Sequence, residues 1–84
     1  MTSQIALLQS IAKQSKSGEI DIAAGKLCLE AYEWGRALQL IQQGIDKGNL
    51  DDPANAYGLL ADIYSRLDKP VLAKEARAQA QLRP

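Results

Sequence analysis

The amino-acid sequence predicts an all-α fold, a short array of helical hairpins, on three observations. The first is internal repetition: Ala24-Gly25-x2-Cys28 … Ala37-x3-Ile41-x2-Gly44 returns at an offset of 36 residues as Leu60-Ala61-x2-Tyr64 … Ala73-x3-Arg77-x2-Ala80. The second is apolar spacing at i, i+3, i+4 and i+7 along the chain, with no alternating strand pattern anywhere. The third is punctuation, Asp52-Pro53 and Asp68-Lys69-Pro70, placed where helices must begin. A period of this size marks stacked helix-turn-helix units, none of which buries its apolar face without a neighbour. Such an array presents a surface rather than enclosing chemistry, so the expected role is binding.

Five helices follow in order. Ile5, Leu8, Ile11 and Ala12, with Leu7 beside them, trace an amphipathic stripe from about Ser3 to Ser15. Gly18 closes that helix, and Lys13 and Lys16 fall in its last turn, where cations favour the negative end of the helix dipole. The second helix begins near Glu19 with Ser17 as N-cap and Glu19 and Asp21 in its first turn; it runs through Ile22, Ala23, Leu27 and Ala31 to about Tyr32. The third carries Ala37, Leu38, Ile41 and Ile45 and stops at Gly48, since glycine takes positive φ without a Cβ clash. Asp52 then caps the fourth, with Pro53 in the first helical position, where its missing N–H costs nothing. That helix reads Tyr57, Leu60, Ala61, Ile63, Tyr64 and Leu67. Asp68-Lys69-Pro70 repeats the cap-then-proline grammar and opens a fifth, alanine-rich helix through Val71, Leu72, Ala73, Ala76 and Ala80 toward Leu82. Arg77 stands where the first unit has Ile41, so the fifth helix reads as a terminal cap facing water.

At 84 residues the chain is expected to form one domain over 1–84, divided into a half-repeat helix at 1–17, a first repeat at 18–52, and a second repeat with its C-terminal cap at 53–84. Ten Lys and Arg balance ten Asp and Glu with no run of one sign, which removes the electrostatic footprint that nucleic acid or an anionic membrane surface requires. No segment approaches the roughly 20 apolar residues of a membrane span, and the start lacks the basic region of a signal peptide. A single cysteine, Cys28, cannot form an internal disulfide and fits a reducing compartment; the expected location is cytoplasmic.

On these residues the chain resembles the tetratricopeptide repeat family. Its pattern places an aromatic, then Leu and a small residue, then an aromatic on the first helix of a unit, and spaced small residues on the second. The second unit matches as Tyr57-x2-Leu60-Ala61-x2-Tyr64, then Ala73 and Ala80. In the first unit Gly25, Ala37 and Gly44 hold the small positions and Trp34 precedes Ala37, while Asp21 and Cys28 replace the usual aromatics. The first helix aligns with the third at an offset of 34, pairing Leu7 with Ile41, Ser10 with Gly44, Ile11 with Ile45 and Lys13 with Lys47. The resemblance therefore covers about two and a half repeats.

What the resemblance implies is a short right-handed superhelix of antiparallel helices, with small residues at the crossings: Gly25 against Ala37, and Ala61 against Ala73. It also implies a concave face that takes a peptide or helix of a partner protein. Carried over by repeat position, that face uses Ile22, Lys26, Leu29, Asn55, Gly58, Asp62 and Arg66. The expected function is a non-enzymatic adaptor that holds another protein or a second copy of itself. The alternatives are a small secretion-type chaperone shielding a client helix, a self-assembling structural subunit, and a thiol-dependent enzyme using Cys28.

Catalysis finds little support in the residues. There is no histidine, which removes the commonest general base and metal ligand at neutral pH. Cys28 stands mid-helix at the position of Tyr64 in the second unit and reads as a core residue, because free cysteine is among the most buried residue types. Asp46, Asn49, Asp51 and Asp52 lie close together, but their spacing is not that of a calcium loop, and helix capping accounts for the last two. No cofactor and no metal is expected. Trp34, Tyr57 and Tyr64 read as core aromatics, whereas Tyr32 has no repeat position and is left for the surface.

Overall fold

The computed structural model describes residues 3–13 and 16–82. Among them are five helices and no strand: α1 Ser3–Ala12, α2 Glu19–Glu30, α3 Trp34–Lys47, α4 Pro53–Arg66 and α5 Pro70–Gln81. Each helix packs on the next, with the largest interfaces inside the hairpins α2·α3 and α4·α5. α2 also touches α4, whereas the backbones of α3 and α1, and of α3 and α5, stay apart. The helices therefore form two layers, α2 and α4 on one side and α1, α3 and α5 on the other. The Cα extents of 33 × 26 × 14 Å fit this arrangement. Helix axes about 8–10 Å apart, each with a Cα cylinder about 2.3 Å in radius, fill such a thickness twice and no more. A bundle nested around one central helix would be thicker. Because neighbours touch within the α2/α4 layer and not within the other, the array curves with α2 and α4 on its inner wall.

Close approach within the hairpin depends on missing side chains. A Cβ on Gly25 of α2 would lie 2.6 Å from Ile41 Cδ1 and 3.3 Å from the Ala37 carbonyl oxygen on α3. At the other end of the same hairpin Gly18 meets Gly44 so tightly that a Cβ on Gly18 would come 1.9 Å from the Gly44 carbonyl oxygen. The core runs along both hairpins through Ala24, Cys28, Ala37, Leu40, Ile41, Ala56, Leu60, Ala61, Ile63 and Ala76, with Ile5 and Leu8 of α1 packed against it.

The punctuation differs from expectation at four points. α1 ends at Ala12, so Lys13 and Lys16 lie beyond its last turn; the expected end at Ser15 falls outside the described residues. Gly18 is not a stop for α1 but the N-cap residue of α2, held in the Gly44 contact, while Ser17 Oγ accepts the Glu19 N–H at 3.2 Å. α2 stops at Glu30, before Tyr32. Asp68 does not cap α5, whose N-cap is Lys69 without a side-chain bond. It closes α4 instead: Asp68 takes φ 60, its N–H reaches Ser65 O, and Lys69 N–H reaches Tyr64 O at 2.8 Å. These paired bonds form a Schellman closure, in which a left-handed residue satisfies the last orphan carbonyls. Elsewhere the grammar holds. Asp52 Oδ1 accepts the Asn55 N–H at 3.1 Å with Pro53 following, and Gly48 takes φ 74 at the end of α3.

Candidate docking surface

The inner wall carries most of the expected contact residues. Lys26, Asn55, Gly58 and Arg66 are exposed, and Leu29 and Asp62 are half-buried. A Cβ on Gly58 would meet nothing within 4 Å, so the middle of α4 is open on this side. Ile22 is the exception, buried in the core with its side chain against Gly44 of α3. It shares a helical face with Gly25, three residues on, and that face is turned to the partner helix of the hairpin rather than to the wall. Ile22 is therefore a packing residue and not part of the docking surface.

The repeat positions divide by depth. Gly25, Cys28, Ala37, Gly44, Leu60, Ala61 and Ala73 are buried, while Trp34, Tyr57, Tyr64 and Ala80 are half-buried. Tyr57 and Tyr64 pack against the core from its rim, and the Tyr64 hydroxyl accepts a bond from Gln42 Nε2 on α3 at 3.1 Å. A phenol can bury its ring and leave its oxygen in reach of a polar partner, so half-burial suits it.

At one end of the wall four side chains converge. Trp34 opens α3; the Arg66 guanidinium carbon lies 4.9 Å from the centre of its ring; Arg66 Nε donates to Asp62 Oδ2 at 3.3 Å; and Tyr32 meets Trp34 edge-on with ring centres 5.3 Å apart. The chain folds into this cluster because α2 ends in the same closure as α4. Glu33 N–H reaches Cys28 O at 2.9 Å and Tyr32 N–H reaches Leu29 O, with Tyr32 at φ 63. Tyr32 and Asp68 thus occupy equivalent places, 36 residues apart. Positive φ suits Gly, Asn and Asp; a tyrosine pays steric strain there. The residue is 76% exposed, so burial does not account for it.

Sequence reasoning missed a buried ion pair. Asp21, at the position of Tyr57 in the second unit, is buried and paired with Lys47 Nζ at 2.9 Å. The signal was present, since Asp21 falls at apolar spacing with Ala24, Gly25 and Cys28, a place where a carboxylate demands a cationic partner. Lys47 and Lys13 line a cleft of about 330 Å³ with Asp21, Leu40 and Gln43. Cys28 is fully buried, and removal from water pushes its thiol pKa above the ordinary 9.0; the Arg36 charge pulls the other way and Glu33 adds to the rise. Among the described residues no group of three His, Cys, Asp or Glu side chains is placed to hold a metal, and no helix is long and apolar enough to cross a membrane. Comparison with protein-family models, curated proteins and solved structures finds no significant match to the chain.

Proposed function

We propose that this chain is a non-enzymatic protein-interaction module of the tetratricopeptide type, an adaptor that holds a peptide or helix of a partner protein along the α2/α4 wall. Tyr32 carries the proposal. It holds a strained backbone conformation that Asp68 takes in the equivalent closure, and it stands largely exposed beside Trp34 and Arg66. A residue that costs conformational energy and contributes little buried area does little for the fold, which supports a role outside it. Tyr, Trp and Arg are also the residues that dominate binding energy at protein interfaces, because they offer large rigid contact area with a polar handle.

Other features support the same reading. The wall, cluster included, mixes Lys26 with Asp62 and Arg66, which suits a peptide better than a polyanion. The buried thiol of Cys28, with its raised pKa, is poorly placed for nucleophilic work, and an unbridged cysteine fits a reducing compartment such as the cytoplasm. Selection of displayed helical and extended peptides against the intact chain tests the proposal. Binders should emerge and lose about 30-fold in affinity on Tyr32→Gly or Arg66→Ala, the scale of an interface hot spot. Failure to enrich any binder, or binders indifferent to both substitutions, would overturn it.

A further inference from the structure

The inner helix α4 is well covered on the side from which the chain arrives. α2 and α3 both pack on it, and its Ala56 and Ile63 are 1% and 0% exposed. On that side α2 has only α1, and the residues 36 positions before Ala56 and Ile63, namely Ile20 and Leu27, remain half-buried. α1 shows the matching shortage. Its Leu7 and Ser10 align with Ile41 and Gly44 of α3, which meet α2 at Gly25, Ile22 and Gly18, and its Ile11 aligns with half-buried Ile45. On α3, Ile41 is fully buried; on α1, Leu7 is 60% and Ile11 44% exposed, and Ser10 is exposed as well. Among the described residues, α1 thus packs on α2 alone and leaves this stripe uncovered.

We propose that Leu7, Ser10 and Ile11 of α1, with Ile20 and Leu27 of α2, receive an amphipathic α-helix from a partner protein, seated against α1 as α2 is seated against α3. The α2·α3 interface shows what chemistry fits. The incoming helix carries an aliphatic residue flanked by small ones on one face, as in Gly18-x3-Ile22-x2-Gly25, so that its backbone comes close to α1. A second copy of this chain is the poorer occupant. Its own α2 face is already buried against α3, and α1 has 10 residues. A helix of that length is only about 15 Å long, so two copies of α1 pressed together fall well short of the roughly 800 Å² per partner of a stable interface. A partner helix can reach further, across α1 and onto α2.

The probe is a fluorescein-labelled synthetic peptide of residues 17–31 bearing Cys28→Ala, titrated with the full chain and followed by fluorescence anisotropy. Saturable binding is expected, weakened about 30-fold by Leu7→Asp and by Leu27→Glu. Val71→Asp, at a site 68% exposed on α5, should leave it unchanged. Tyr32→Gly should also leave it unchanged, so that docking at this end and docking at the aromatic cluster stand or fall separately. Ser10→Arg blocks the crossing from an exposed position and gives a second reading if circular dichroism shows either α1 or α2 variant to be misfolded. Absence of saturable binding, or binding that survives both Leu7→Asp and Ser10→Arg, overturns the proposal. So does a dimer in sedimentation that Leu7→Asp disperses, since a second copy would then be the occupant.

Discussion

At the scale of single residues, this chain separates positions that serve the fold from positions that strain it. Gly18 serves it. Its φ of −80 is open to any residue, yet a Cβ there would strike the Gly44 carbonyl at 1.9 Å. Backbone cannot rotate away as a side chain can, so Gly18→Ala must separate α2 from α3. The expected cost is about 1–3 kcal/mol, a large share of the stability of so small a domain, visible as a lowered denaturation midpoint at unchanged slope. Tyr32 behaves oppositely. Tyr32→Gly removes a steric penalty of about 1 kcal/mol and little buried area, so the melting temperature should hold or rise while binding falls. A loss of more than about 1 kcal/mol would show that the ring supports the fold, and the case for its role in docking would collapse. Gly25 and Ala37 were legible as crossing residues because repetition displays them twice. The Gly18–Gly44 contact was not, since its first member precedes the repeat motif and reads locally as a helix stop.

At the scale of helices, what could be read depended on whether the determinant was local. The Asp52 cap and the Gly48 stop use atoms within three or four residues, and both stand in the structure as the residue types require. Asp52→Ala should cost about 1 kcal/mol, measured as a shift in urea midpoint. Asp68 misled because a carboxylate before proline signals a cap, whereas the same residue also tolerates the positive φ that ends a helix. Which role it takes is decided by where α4 stops, and that depends on packing. The Asp21–Lys47 pair is the long-range case, a charge buried between α2 and α3 with its partner 26 residues away in sequence. Lys47→Met should be strongly destabilising, about 3 kcal/mol, because it strands a buried carboxylate, and Asp21→Leu combined with it should recover most of the loss. If the single and double variants melt together, the carboxylate reaches water without the lysine and the pair contributes little.

At the scale of the whole molecule, the two ends of the stack differ, and the difference follows from substitution at equivalent positions. Where α3 has Leu38, Ile41 and Ile45, α5 has Lys74, Arg77 and Gln81, and Arg77 Nη2 bonds Ser65 Oγ at 2.9 Å, so this stripe of α5 meets α4 through a polar group, while Val71, Leu72 and Leu82 stay exposed. α1 instead keeps Leu7 and Ile11 in the places of Ile41 and Ile45, with Gln4 in that of Leu38. Between the ends a single chain of contacts links the hairpins, so loss of one central side chain should be felt throughout: Leu60→Ala should cost about 2–5 kcal/mol and lower one shared melting transition. Cys28 offers a direct measure of that cooperativity. Its thiol is fully buried and its pKa lies above 9.0, chiefly through desolvation, so the native state holds the proton more tightly than the unfolded chain does. The contribution to stability is therefore complete below the unfolded pKa and is lost as pH rises through and beyond it; stability should fall on the alkaline side, not near neutrality. At neutral pH a thiol reagent should label Cys28 only through opening of the fold, at a rate that rises with urea in step with global unfolding and that Leu60→Ala accelerates strongly. Rapid labelling of the native protein, unaffected by urea below the transition, would mean that α2 opens on its own and that the two hairpins do not fold as a unit.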